Sequence, residues 1–131
     1  QGVLELETYM SFTDKVNKIK NDLLSFLIEQ KRSGNKVVAY GAAAKGNTFL
    51  NYAGVSNDLI DFVVDKSPYK QGKFLPGSHI PIVSEEKISE VKPEYVLILP
   101  WNIKEEIRNQ LSYARKWNVK FVVAVPELKI I

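Results

Sequence analysis

The sequence predicts an α/β fold in which helices cover both faces of a mostly parallel sheet, and three observations carry that expectation. Short apolar runs recur along the chain and alternate with segments whose apolar residues fall at helical spacing. The run Val37-Val38-Ala39-Tyr40 ends at Gly41 and passes through Ala42-Ala43-Ala44-Lys45-Gly46 into a helix-like segment, which is the form of a strand, a tight turn and a helix N-terminus. An acidic residue, Asp65, closes the second apolar run, 24 positions after Gly41.

Taken in order, residues 1–10 show no clear period and read as a linker or frayed end, leaving 11–131 as a single domain. Ser11, three positions before Asp14, resembles a capping box. Val16, Ile19, Leu23, Phe26 and Leu27 then mark one face of a helix over roughly 12–33, with Gly34 as its stop. Lys36–Tyr40 reads as the first strand, buried on both sides, and Gly46–Tyr52 as a short helix stopped near Gly54. Leu59–Val64 is the second strand. Lys66–Gly77 is a long loop punctuated by Pro68, Gly72, Pro76 and Gly77. Ile80–Val83 is a third strand, and Ser84 can cap a brief helix over 85–91 before Pro93 breaks the chain. Tyr95–Leu99 is the fourth strand, and Pro100-Trp101-Asn102 makes a corner whose Asn102 can cap the next helix. Ile103, Ile107, Leu111 and Ala114 mark the buried face of that helix. Glu105 and Glu106 stand in its first turn and Arg115 and Lys116 in its last, as a helix dipole favours. Phe121–Val125 is the fifth strand, closed by Pro126. Right-handed crossovers then imply a Rossmann-like, three-layer domain with a five-stranded sheet in the order 3-2-1-4-5. The switch point lies between strands one and four, where the Gly41–Gly46 and Pro100–Asn102 loops meet.

The bulk numbers narrow the function classes. A chain of 131 residues, 45% hydrophobic and 25% charged, is ordinary for one globular domain. No apolar run approaches the roughly 20 residues of a membrane helix, and no signal segment is visible. The absence of cysteine excludes disulfides and thiolate metal sites, and a single histidine, His79, argues against zinc. These features fit a cytoplasmic protein without a membrane partner. A net charge of +3 favours an anionic partner, but the charge is too weak and scattered for nucleic acid. A start at Gln1 without an initiator Met fits a tail cut from a longer protein.

Gly41, Ala43 and Gly46 match G-x-A-x-x-G, a variant of the dinucleotide fingerprint. A turn of this kind directs backbone N–H groups and the positive end of a helix dipole at an anion. Ala43 replaces the glycine that lets the backbone approach a pyrophosphate closely, so its methyl group stands against an ordinary dinucleotide pose. Lys45 adds a mobile cation at the helix start, and the turn reads as a phosphate cradle. Asp65 is either a ribose-hydroxyl acceptor or a solvated residue at a strand end. Lys66, Lys70 and Lys73, set among prolines and glycines, make a basic loop that serves binding or only solubility. His79 reads as a structural hydrogen-bonder or a ligand contact. Trp101 can stack on a ligand and Asn102 bond to it; the plainer reading is a core tryptophan and a helix cap. No nucleophile, base or paired carboxylates form a catalytic set, so binding is expected rather than chemistry.

The motifs Tyr40-Gly41-Ala42-Ala43-Ala44-Lys45-Gly46-Asn47-Thr48, Asn51-Tyr52-Ala53-Gly54-Val55, Asp65-Lys66-Ser67-Pro68-Tyr69-Lys70-Gln71-Gly72-Lys73, Pro76-Gly77-Ser78-His79-Ile80-Pro81-Ile82 and Leu99-Pro100-Trp101-Asn102 recur in a set order. In these the chain resembles the C-terminal domain of sugar C-methyltransferases, S-adenosylmethionine-dependent enzymes that methylate a carbon of a nucleotide-linked deoxysugar. The resemblance covers nearly everything beyond residue 11. It implies a Rossmann-like domain that holds a nucleotide-diphosphate sugar against the methyltransferase domain of the same chain. It also implies that S-adenosylmethionine, zinc and the acid–base residues belong to missing upstream parts, with no cofactor in this fragment. The expected substrate contacts are Gly41, Ala42, Ala43, Lys45, Gly46, Asn47, Asp65, Lys66, Ser67, Lys70, Lys73, Pro76, Gly77, His79, Trp101 and Asn102, with no catalytic or metal-binding residue among them. The alternatives are a free-standing NAD- or CoA-type module and a structural or dimerisation domain that binds nothing.

Overall fold

The computed structural model describes residues 2–131, with side chains from residue 14 onward except that of Ala44. Six strands form one sheet: β1 Val37–Tyr40, β2 Val63–Val64, β3 Ile82–Val83, β4 Tyr95–Ile98, β5 Lys120–Val123 and β6 Lys129–Ile130. Their order is β3-β2-β1-β4-β5-β6. The helices are α1 Gly2–Arg32, α2 Ala44–Ala53, α3 Glu86–Val91 and α4 Lys104–Gln110, with 3-10 turns at Trp101–Ile103 and Ser112–Trp117.

The central strand β1 is buried at every position, as expected of a parallel strand covered on both faces. Its pleat sorts the core into two layers. Val37 and Ala39 join Leu97, Leu99 and Val122 beneath Leu23 and Leu27 of α1 and Leu50 and Ala53 of α2. Val38 and Tyr40 join Val96, Ile98 and Phe121 beneath Ile88 of α3, Ile107 of α4, and Leu111 and Ala114. In register, Ala39 is paired with Val63 on one side and Leu97 on the other, and Tyr40 with Val64 and Ile98. The first five strands run parallel in the expected order 3-2-1-4-5.

The sheet differs from the expectation by a sixth strand. β6 pairs antiparallel with β5, setting Ile130 opposite Val122. Two residues after a proline are too few to show a period, so this edge is invisible in the sequence. Helix α1 runs through Ser11, so the capping-box spacing there does not start a helix. Residues 2–10, read as a linker or frayed end, are instead the first turns of α1, and Gln1 lies outside the described residues. Gly34 (φ 79°) does follow the helix end, and Asn35 N–H donates to Gln30 O at 2.9 Å across it. Neither Ser84 nor Asn102 caps a helix: Glu85 precedes α3, Ile103 precedes α4, and neither start carries a side-chain cap. The single helix expected after β4 is a short α-helix flanked by 3-10 turns.

The chain leaves β1 toward α2 on one face of the sheet and leaves β4 toward α4 on the other. A crevice therefore opens between the two loops at the carboxyl ends of these neighbouring strands.

Candidate functional site

The turn after β1 is shaped by a close approach. Gly41 has φ 97°, and a Cβ placed on it would lie 2.6 Å from Pro100 Cδ. Gly46 sits equally tight, since its Cβ would lie 2.8 Å from Leu99 Cβ. Two glycines thus press the start of α2 onto the end of β4, while Gly41 N–H donates to Val64 O at 2.7 Å and Leu99 N–H to Tyr40 O at 3.0 Å.

Ala43 precedes α2 in an extended conformation and supplies no side-chain cap. Asn47 N–H donates to Ala43 O at 3.0 Å. By helix geometry the N–H groups of Ala44, Lys45 and Gly46 lie ahead of that first bond and await other acceptors. Asn47, in the same turn, buries its Oδ1 without a partner among the described residues.

Ala43, Lys45, Gly46, Leu99, Pro100, Trp101 and Asn102 line a cavity of about 400 Å³. Six of the expected contacts thus split between its wall and its rim: Ala43, Lys45, Gly46, Trp101 and Asn102 line it, and Gly41 shapes it from behind. Lys45 and Trp101 also line a neighbouring groove of about 500 Å³ with Val16, Thr48, Phe49 and Tyr52. The sequence reading missed this groove. Its signal was present, because Lys45, Thr48, Phe49 and Tyr52 are spaced to share one face of α2.

Ala42, Asp65, Ser67 and Lys70 are joined by hydrogen bonds. Ala42 N–H donates to Asp65 Oδ2 at 2.8 Å, and Ser67 N–H to Asp65 Oδ1 at 2.8 Å. Lys70 Nζ donates to Ala42 O at 3.3 Å and stands 3.9 Å from Asp65 Oδ2.

Other expected contacts lie apart from this cavity. Lys66 lines a different cavity of about 640 Å³ with Gln71, Ser84, Glu85, Glu86, Ser89 and Tyr113. Lys73 accepts Ile82 N–H at 2.8 Å through its carbonyl, which lays the loop along β3. Pro76 and Gly77 pack against the later half of α2: Asn51 Nδ2 donates to Pro76 O at 2.9 Å, and a Cβ on Gly77 would lie 2.6 Å from Asn51 Oδ1. About two helix turns of rise, roughly 10 Å, separate Asn51 from the start of α2 on the scale of 1.5 Å per residue. His79 is exposed at φ 59°, its N–H donating to Leu75 O at 3.1 Å.

On the opposite face of the sheet lies a polar cluster that sequence reading did not mark. Gln110 Nε2 donates to Tyr40 Oη at 2.6 Å and to Glu85 Oε1 at 2.5 Å. Tyr113 Oη donates to Glu85 Oε2 at 3.3 Å. Burial, reinforced by the Glu85 charge, pushes the Tyr113 phenol up to about 12. Burial also raises the Tyr40 phenol, against the opposing bond from Gln110.

Among the described residues no three His, Cys, Asp or Glu side chains gather to hold a metal. No described helix is long and apolar enough to cross a membrane. The arrangement is a helix start with open N–H groups beside an indole and an amide, with lysines on a flanking loop.

Comparison with known proteins agrees with the resemblance. The family model described as C-methyltransferase C-terminal domain matches residues 1–126. The C-methyltransferase NovU of Streptomyces niveus is 34% identical over 131 residues, which cover 100% of this chain and 31% of that protein. The chain thus spans about a third of the length of this curated relative. Neither finding supports a free-standing dinucleotide module or a domain with a purely structural role. This chain belongs to the C-methyltransferase C-terminal domain family.

Proposed function

We propose that this chain holds the nucleotide-diphosphate sugar for a longer C-methyltransferase, presenting it to a methyltransferase domain elsewhere in the same polypeptide. The observation that carries this reading is the shared lining of one cavity by Lys45 and Gly46 at the start of α2 and by Trp101 and Asn102 after β4. A phosphate fits the open N–H groups of that helix start, where the dipole favours negative charge, and Lys45 adds a mobile counter-charge. Trp101 offers a flat face to a base, and Asn102 an amide that both donates and accepts. The cavity and its neighbouring groove, about 400 and 500 Å³, fall within the range of small-molecule sites.

S-adenosylmethionine, which supplies the methyl group in such a reaction, does not fit these residues. Asp65, the residue placed to take its ribose, has both oxygens engaged by Ala42 and Ser67. Zinc does not fit either, in a chain without cysteine. Both groups belong, on this reading, to the rest of the enzyme. The part played here is to bind, to orient and to cover the anionic end of the substrate.

The test is a titration, by NMR or calorimetry, of this chain and of the full-length enzyme with dTDP, a dTDP-linked deoxysugar and NAD. Shifts at 41–47 and 101–102 with the two dTDP ligands alone are expected. A response to NAD alone, or silence at these positions in the full-length enzyme, overturns the reading.

A further inference from the structure

In a dinucleotide site the acidic residue after the second strand faces outward to ribose hydroxyls. Asp65 faces the protein instead, with its side chain only 15% exposed. Its two carboxylate oxygens accept N–H bonds from Ala42 in the turn and from Ser67 in the loop, each at 2.8 Å. Its backbone carbonyl accepts Gln71 Nε2 at 2.8 Å. Lys70 closes the ring, since its ammonium lies 3.9 Å from the same carboxylate while donating to Ala42 O at 3.3 Å.

The loop beyond is anchored elsewhere. Gly72 N–H donates to Ile82 O at 2.9 Å and Ile82 N–H to Lys73 O at 2.8 Å, so residues 72–73 ride on β3. The stretch from Ser67 to Gln71 spans the gap between β3 and the turn, and at the turn its bonds converge on Asp65 and Ala42. A carboxylate with two N–H bonds and a nearby ammonium is a strong junction, because each bond is charge-assisted.

We propose, resting on the site reading above, that Asp65 is a positioning residue: it fastens the basic loop to the β1–α2 turn and so sets Lys70 beside the anion site, without touching the ligand itself. Turn and loop then behave as one unit. The Ala42 N–H, already bonded inward, is withheld from the ligand, and the anion is met by the start of α2 and by lysines.

Asp65→Asn tests this, since it keeps the shape but leaves one acceptor oxygen where there were two. Amide exchange followed by NMR on the ligand-free chain should accelerate at Ala42, at Ser67 and at residues 69–71 together, by about tenfold, the scale of one lost charge-assisted bond. Amides of Val38 and Ile98 in the core should not change. Gln71→Leu, which removes a single amide donor, should act in the same direction and more weakly, and it serves if Asp65→Asn does not fold. In calorimetry with dTDP, Asp65→Asn should lose about tenfold in affinity, the same scale, and adding Lys70→Ala should cost little more. Loop amides unmoved in both variants, or losses from Asp65→Asn and Lys70→Ala that simply add, would overturn the proposal. A wild-type enzyme that ignores dTDP would refute the site reading, while the ligand-free exchange still decides whether Asp65 joins loop to turn.

Discussion

Gly46 lies against Leu99 with no room for a side chain: a Cβ at this position would stand 2.8 Å from Leu99 Cβ and 3.2 Å from its Cδ1. The corresponding contact at the other end of the turn is between Gly41 and Pro100. The glycines of this fingerprint are therefore explained by helix-to-strand packing, independently of any ligand. That packing is what brings Lys45 and Trp101 to one cavity.

Gly46→Ala should destabilise the domain by about 1–3 kcal/mol, the cost of an added methyl group in a packed interface. Gly41→Ala should cost at least as much, because its φ of 97° adds backbone strain of about 1–3 kcal/mol to a clash with Pro100. Urea denaturation read by circular dichroism checks both. Stabilities equal to wild type would mean that α2 is not seated on β4 as described.

Lys45→Ala should leave that stability unchanged within about 0.5 kcal/mol, since the side chain is exposed. It should weaken nucleotide-sugar binding by about 1–3 kcal/mol, the worth of a charge-assisted hydrogen bond. Isothermal titration calorimetry separates the two effects. Unaltered affinity would remove Lys45 from the site.

The cluster around Glu85 predicts an alkaline transition. Tyr113 holds its proton up to about 12 in the folded chain, against 10.0 for its ordinary value. The folded state therefore binds more protons than the unfolded chain between those two values. Stability contributed by the neutral phenol is fully present below pH 10.0 and is lost as pH rises toward 12. Thermal melts across that window should fall, and Tyr113→Phe should flatten the fall. Absorbance titration of the phenolates should show a late-ionising tyrosine that disappears in the variant; its persistence would assign the effect to Tyr40.

The sheet order was readable because each parallel strand is a nearly continuous apolar run and each helix face repeats at its own period. The turn was readable because small residues and glycine at a strand end have few other uses. Asn102 and Ser84 misled, since a capping residue type marks a helix start only where the backbone places its oxygen over the first N–H groups. At both positions the helix begins a residue later.

Asp65 shows where local reading stops. Its place after β2 was plain, but whether its carboxylate faces a ligand or Ala42 depends on residues 23 positions away. The same is true of Pro76 and Gly77, expected as substrate contacts, which the fold sets along the later half of α2. By itself the sequence determined the α/β class, the parallel order of five strands and the strand–turn–helix junction at Gly41–Gly46, because these follow from periodicity and backbone freedom within short windows. Only the tertiary structure decided which lysines share a cavity with Trp101, which carboxylate is consumed internally, and that a two-residue strand closes the sheet edge. Those outcomes rest on contacts between segments far apart in the chain, and no local pattern encodes the direction in which a side chain finally points.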